Sequence, residues 1–135
     1  MTTARRAGSL GAQSAMGRCR PTPELVRTIL GHLAERVAGR LRAKARAGRT
    51  ITVRVRFPGM RSVTRSHTLR AAVSATLTIT EVAEQLAWQA IRDQRAAAVE
   101  ITLLAVSVSN LTLERGVQLE LDLPPQDPWR PGSTE

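Results

Sequence analysis

Residues 49–69, RTITVRVRFPGMRSVTRSHTL, decide the fold of this chain. Ile51, Val53, Val55 and Phe57 share one parity, and Thr50, Thr52, Arg54 and Arg56 share the other. This period of two marks a strand with one face in a core and the other in solvent. Pro58-Gly59 then interrupts the pattern with a dipeptide suited to a turn, and a second strand follows through TRSHTL. The pair reads as a hairpin whose outward face carries arginine and hydroxyl groups. Such a basic face points to a polyanionic partner.

Outward from the hairpin, each flank reads as a helix and a strand. Upstream, Thr22 is an N-cap, Pro23 fits the first helical position and Glu24 complements the first-turn dipole. Val26, Leu30, Leu33, Val37 and Leu41 then form one apolar stripe of a helix predicted to run to about Ala47, with Gly48 as its stop. Before it, residues 9–17, SLGAQSAMG, place Leu10 and Met16 at one parity and read as a short strand. Downstream, Thr78 and Glu81 have capping-box spacing, and Ile79, Val82, Leu86, Ala90 and Ile91 trace a second helix ending near Asp93–Gln94. Residues 99–111, VEITLLAVSVSNL, form a β-branched strand with Leu104, Val106 and Val108 on one side and Leu103, Ala105, Ser107 and Ser109 on the other. The expected fold is α+β with the order β-α-β-β-α-β: a four-stranded sheet, two helices on one face and an open basic face.

The 135 residues suffice for one domain that buries roughly two thirds of its unfolded surface. Of the 20 Lys and Arg, 16 fall in residues 1–70 against Glu24 and Glu35, leaving +14 there and −5 in the remainder. Clustering of this kind favours phosphate backbones over an even distribution, although it also serves solubility. Cys19 is the single cysteine, so no intrachain disulfide can form and a reducing cytoplasm is the default expectation. No apolar run approaches the roughly 18 residues of a membrane span. Residues 1–23 lack the apolar stretch of a signal peptide, although their Arg-rich, acid-free composition superficially matches an organelle transit peptide. The four prolines after residue 123 predict a disordered tail over 124–135.

SLGAQSAMG, the long helix, GRTITVRVRF, the tripeptide Thr64-Arg65-Ser66 and ITLLAVSVSNL occur in an order and spacing that resembles the little finger, the C-terminal DNA-binding domain of Y-family translesion DNA polymerases, most closely the DNA polymerase IV type. The resemblance covers roughly residues 9–123. It implies a DNA-binding module that sets an open sheet against a duplex or primer-template near the primer terminus. Carried over position by position, it implies contacts from Gly11 and Gln13, Arg54 and Arg56, Thr64, Arg65 and Ser66, and Ser107 and Ser109. Arg65 shares the parity of Val63 and Leu69, so a structural role stands beside the DNA contact. The chain departs from the family where strands often carry Arg (Thr102), Gly (Ala105) and Thr (Ala15), which implies weaker contacts there.

Gln118-Leu119-Glu120-Leu121-Asp122-Leu123 resembles the Q-L-x-L-x-L peptide by which polymerase IV members bind the bacterial sliding clamp, with Gln118, Leu119, Leu121 and Leu123 as the docking residues. An edge strand accounts for the same alternation. The expected organisation is a tether-like basic segment at 1–8, the little finger at 9–117, the clamp peptide at 118–123 and the tail.

Neither catalytic residues nor metal ligands nor a cofactor are expected. Phosphoryl transfer in this family needs palm carboxylates holding two metal ions. Here Glu24, Glu81, Glu84 and Asp93 fall on predicted helices, and His32 and His67 have no partner at ligand spacing. The chain is therefore read as a monomeric, cytoplasmic, non-catalytic little finger, truncated or standalone. Two other readings remain: a regulatory fragment that competes for the clamp without useful DNA binding, and a basic RNA-binding module. The second lacks stacking platforms, because Phe57, Trp88 and Trp129 are its only aromatics.

Overall fold

The computed structural model describes residues 8–94 and 98–113. Strand β1 (Ser9–Cys19) leads to helix α1 (Pro23–Ala43), the hairpin of β2 (Arg46–Phe57) and β3 (Arg61–Val73), helix α2 (Thr76–Arg92) and strand β4 (Ile101–Leu113). The sheet order is β1-β4-β2-β3, with every neighbouring pair antiparallel. β4 inserts between β1 and β2, the split arrangement expected from the element order, and both helices cover one face.

Burial follows the periodicities. Val26, Leu30, Leu33, Val37 and Leu41 of α1 and Ile79, Ala83, Leu86 and Ala90 of α2 pack onto Ile51, Val53, Val55 and Phe57 and onto Leu104, Val106 and Val108. Each large apolar side chain removed from water here contributes about 1.5–3 kcal/mol before entropic costs. At the hairpin, Phe57 pairs with Arg61, and Gly59 (φ 87°) and Met60 (φ 66°) both take the left-handed conformation. Thr22 caps α1 through the amide of Leu25, which donates to its hydroxyl at 3.1 Å. No helix among the described residues is long and apolar enough to cross a membrane.

Several boundaries differ from the sequence reading; β1 runs on to Cys19 and β4 starts at Ile101. α1 ends at Ala43 with Lys44 as its C-cap, and Ala45 supplies the left-handed residue (φ 54°) that reverses the chain. Gly48 is therefore not a helix stop; it lies buried in β2. A Cβ on it would meet Val108 Cγ1 at 2.3 Å, with Leu111 Cδ2 and the Ser109 carbonyl oxygen at 2.9 Å. α2 begins at Thr76, ahead of the Thr78–Glu81 capping box, and Ala75 takes the N-cap position without a side-chain bond. The Thr76 hydroxyl donates to Glu35 of α1 at 2.9 Å, tying the first residue of α2 to the other helix. β4 runs two residues further than expected: its pairing with β2 continues past Asn110 (φ 57°) to Leu113 in the same register. The tail at 124–135 and the segment 1–7 lie outside the described residues.

Gly31 and Gly39 lie within α1, and a Cβ on either meets nothing within 4 Å. Gly inside a helix costs about 0.5–1 kcal/mol relative to Ala. Gly31→Ala and Gly39→Ala together are expected to raise stability by about 1–2 kcal/mol in urea unfolding, with unchanged slope.

Candidate nucleic-acid interface

The register of the three strand pairs aligns the open face into rows that cross β1, β4, β2 and β3 in that order. The first row is Ser9, Ser109, Thr50 and Thr68, and the second is Gly11, Ser107, Thr52 and Ser66. The third is Gln13, Ala105, Arg54 and Thr64, and the fourth is Ala15, Leu103, Arg56 and Ser62. Residues opposite one another in an antiparallel sheet project to the same side. The face is thus a field of hydroxyl groups with two guanidiniums at one end, rather than a continuous arginine ladder.

Of the residues expected to touch DNA, Gly11, Gln13, Arg54, Arg56, Thr64, Ser66, Ser107 and Ser109 share this face. Arg65 does not. It pairs in register with Val53, a core residue, and its guanidinium forms an ion pair with Asp93 at the C-terminal end of α2. That contact ties the hairpin to the helix layer, so the structural role raised by its parity fits its position. Thr50, Thr52, Thr68, Ser62 and Ser9 belong to the face as well. Their alternation was visible in the sequence, but a threonine or serine in a strand carries little signal until its neighbours are known.

Around the centre of the rows lies a shallow depression of about 480 Å³, lined by Gly11, Gln13, Thr52, Arg54, Thr64, Ala105 and Ser107 among others. Its floor depends on small residues: a Cβ on Gly11 would come within 3.1 Å of both Ser107 Cβ and the Val106 carbonyl oxygen. At the hydroxyl end, the Asn110 amide donates to Thr50 Oγ1 at 2.6 Å, and Thr50 shares a 2.9 Å hydrogen bond with Thr68. These bonds hold the first row in order across three strands.

Much of the remaining basic charge is engaged elsewhere. Arg40 donates to the Gly11 carbonyl at 2.8 Å, Arg42 to that of Ser74 at 2.9 Å and Arg49 to that of Leu69 at 3.0 Å. Arg61 lies over the Phe57 ring, 5.4 Å from its centroid, and donates to Gln94 at 2.8 Å. Arg18 pairs with Glu100 and Arg27 with Glu84. These arginines fasten strands, helices and loops to each other. No group of His, Cys, Asp or Glu among the described residues could hold a metal ion. Gln118, Leu119, Leu121 and Leu123 lie outside the described residues.

Comparison with known proteins agrees with this architecture. Residues 7–121 match the impB/mucB/samB family C-terminal domain. The chain is 48% identical over 136 residues to DNA polymerase IV 2 of Mesorhizobium japonicum, a match covering 98% of this chain and 32% of that protein. The chain thus spans about a third of the length of this relative. Among solved structures, a post-insertion binary complex of Dbh DNA polymerase superposes with a TM-score of 0.66 at 13% identity, covering 78% of this chain and 29% of the other. An insertion ternary complex of the same polymerase gives a TM-score of 0.61 at 17% identity, covering 79% and 29%. The structural likeness establishes the fold, and the match along most of the sequence establishes the lineage: this chain belongs to the impB/mucB/samB C-terminal domain family, as a little finger of the Y-family DNA polymerase IV type.

Proposed function

We propose that this chain is the non-catalytic DNA-binding little finger of a translesion polymerase, and that its open face lies along the backbone of a primer-template duplex. The observation that carries this reading is the register itself. It brings Gln13, Arg54, Thr64, Ser66, Ser107 and Ser109, from four separate strands, onto one face. Hydroxyl groups both donate to and accept from phosphate and sugar oxygens, and guanidiniums add charge-assisted bonds. Phosphate and sugar contacts fix register on a duplex without reading its bases, as a domain that must follow a moving primer terminus requires. The similarity to DNA polymerase IV 2 supports the same partner.

Fluorescence anisotropy of the full chain with a labelled primer-template duplex tests the reading. Affinity is expected to fall linearly with salt on logarithmic axes, with a slope of about −0.9 for each phosphate neutralised. Absence of binding at low salt would overturn it.

The segment Gln118–Leu123 is, in the same reading, the peptide that docks on the bacterial sliding clamp, with Gln118, Leu119, Leu121 and Leu123 entering its pockets. Gln118→Ala with Leu123→Ala is expected to abolish clamp binding in surface plasmon resonance while duplex affinity stays within twofold. Persistence of clamp binding would leave the alternating leucines with a purely structural role.

A further inference from the structure

Arg54 and Arg56, the two arginines of the aligned rows, each have a neutral partner on another strand of the sheet. Arg54 Nη2 donates to Gln13 Oε1 at 3.3 Å, and Arg56 Nε donates to Thr102 Oγ1 at 3.3 Å. The arginines that pair with carboxylates among the described residues sit elsewhere: Arg27 on α1, Arg65 on the helix side of β3, and Arg18 beyond the register slip that follows Ala15. Carboxylates therefore offset charge away from the face, while on the face the partners orient without offsetting.

The Arg54 contact is the longer reach. Gln13 lies on β1 and Arg54 on β2, with β4 between them, so the side chains meet across two strand spacings of about 4.8 Å each. The residue beneath the bridge is Ala105, which occupies the same row. A methyl group there leaves room for a guanidinium to lie across β4 at the rim of the central depression. An amide oxygen accepts one of the five N–H donors of arginine and leaves the others and the full positive charge available.

We propose that Gln13 is a positioning residue for Arg54. It holds the guanidinium across Ala105 while leaving its charge unoffset, and in this way sets the electrostatic strength of the DNA-binding face. The inference rests on the reading of the open face as the DNA surface. A glutamate at residue 13 would hold the same guanidinium as an ion pair and withdraw its charge from phosphate.

The test measures duplex affinity of the full chain by anisotropy between 50 and 200 mM salt for Gln13→Ala, Gln13→Glu, Arg54→Ala and the double variant Gln13→Ala with Arg54→Ala. Thermal melting of each variant verifies that it is folded. Gln13→Ala is expected to weaken binding about threefold with an unchanged salt slope, because the charge remains and only its placement is lost. Gln13→Glu is expected to weaken binding about tenfold and to flatten the slope by about one unit, the loss of one neutralised phosphate. In the Arg54→Ala background, Gln13→Ala is expected to have no further effect. Equal losses from Gln13→Ala with and without Arg54 would make Gln13 an independent DNA contact and overturn the proposal. An unchanged slope in Gln13→Glu would also overturn it. Failure of the unsubstituted chain to bind duplex would instead remove the parent reading, so the two failures are separable.

Discussion

Reversal of both open-face arginines, Arg54→Glu with Arg56→Glu, is expected to lower duplex affinity by about two to four orders of magnitude. Each guanidinium on a phosphate is a charge-assisted contact worth about 1.5–3 kcal/mol, and each 1.4 kcal/mol is tenfold in affinity. Introduced carboxylates add repulsion, which places the result toward the upper end. The salt dependence should become shallower by about two units, since roughly 0.9 units belong to each neutralised phosphate. Loss should be uniform across duplex sequences because backbone contacts carry no base information. Both side chains lie on the solvent side of β2, opposite the core row of Val53, Val55 and Phe57, so the fold should survive the change. As a contrast, Arg65→Ala should affect DNA binding little and thermal stability more, because Arg65 engages Asp93 on the other side of the sheet. A double reversal that binds duplex as tightly as the parent chain would move the DNA surface away from the sheet altogether.

The alternation in 49–69 was sufficient to read the hairpin and its two faces, and the 3.6-residue stripe from Val26 to Leu41 was sufficient to place the first helix. Such patterns are legible because burial enforces them at every turn or second residue. The destination of each arginine was not legible. Sixteen basic residues in the first 70 suggested a strongly charged face, yet Arg40, Arg42 and Arg49 bond backbone carbonyls, and Arg61 and Arg65 reach the end of α2. An arginine has the same sequence signature whether it meets a phosphate or a carbonyl, and partners 20 to 33 residues away decide between them. The Thr78–Glu81 spacing failed for a related reason. A capping box stabilises a helix end only where the helix ends, and α2 begins two residues before Thr78, at Thr76, whose hydroxyl is tied to Glu35.

Gly48→Val is expected to destabilise the chain by about 3 kcal/mol or more, the upper part of the range for overfilling a packed site. For a domain of about 100 residues that corresponds to a fall in melting temperature of about 12–24 °C. The argument starts from the direction of the missing side chain. A Cβ on Gly48 points at Val108, a fully buried residue of the neighbouring strand, and would lie 2.3 Å from its Cγ1. Retreat is blocked on the other sides by Leu111 Cδ2 and the Ser109 carbonyl oxygen, each at 2.9 Å. Valine at 108 is stiff at χ1, and the Ser109 carbonyl is part of the β4 backbone, so neither yields without separating β2 from β4. Thr50, two residues along, faces the opposite side of the sheet in register with Ser109, so the alternation of β2 is broken between them. The break coincides with the left-handed Asn110 in β4 and with the register shift of β3 opposite residues 48–50. Gly48 therefore sits where β2 pairs with both β3 and β4, and close approach leaves no room for a side chain. Gly48→Ala should cost about 1–3 kcal/mol, whereas Gly31→Ala and Gly39→Ala should stabilise. One substitution, opposite in sign at positions 9 to 17 residues apart, would separate a glycine required by close approach from glycines tolerated on a helix. A neutral Gly48→Val would mean that β2 and β4 can part at this point without loss, and would remove close approach as the reason for glycine there.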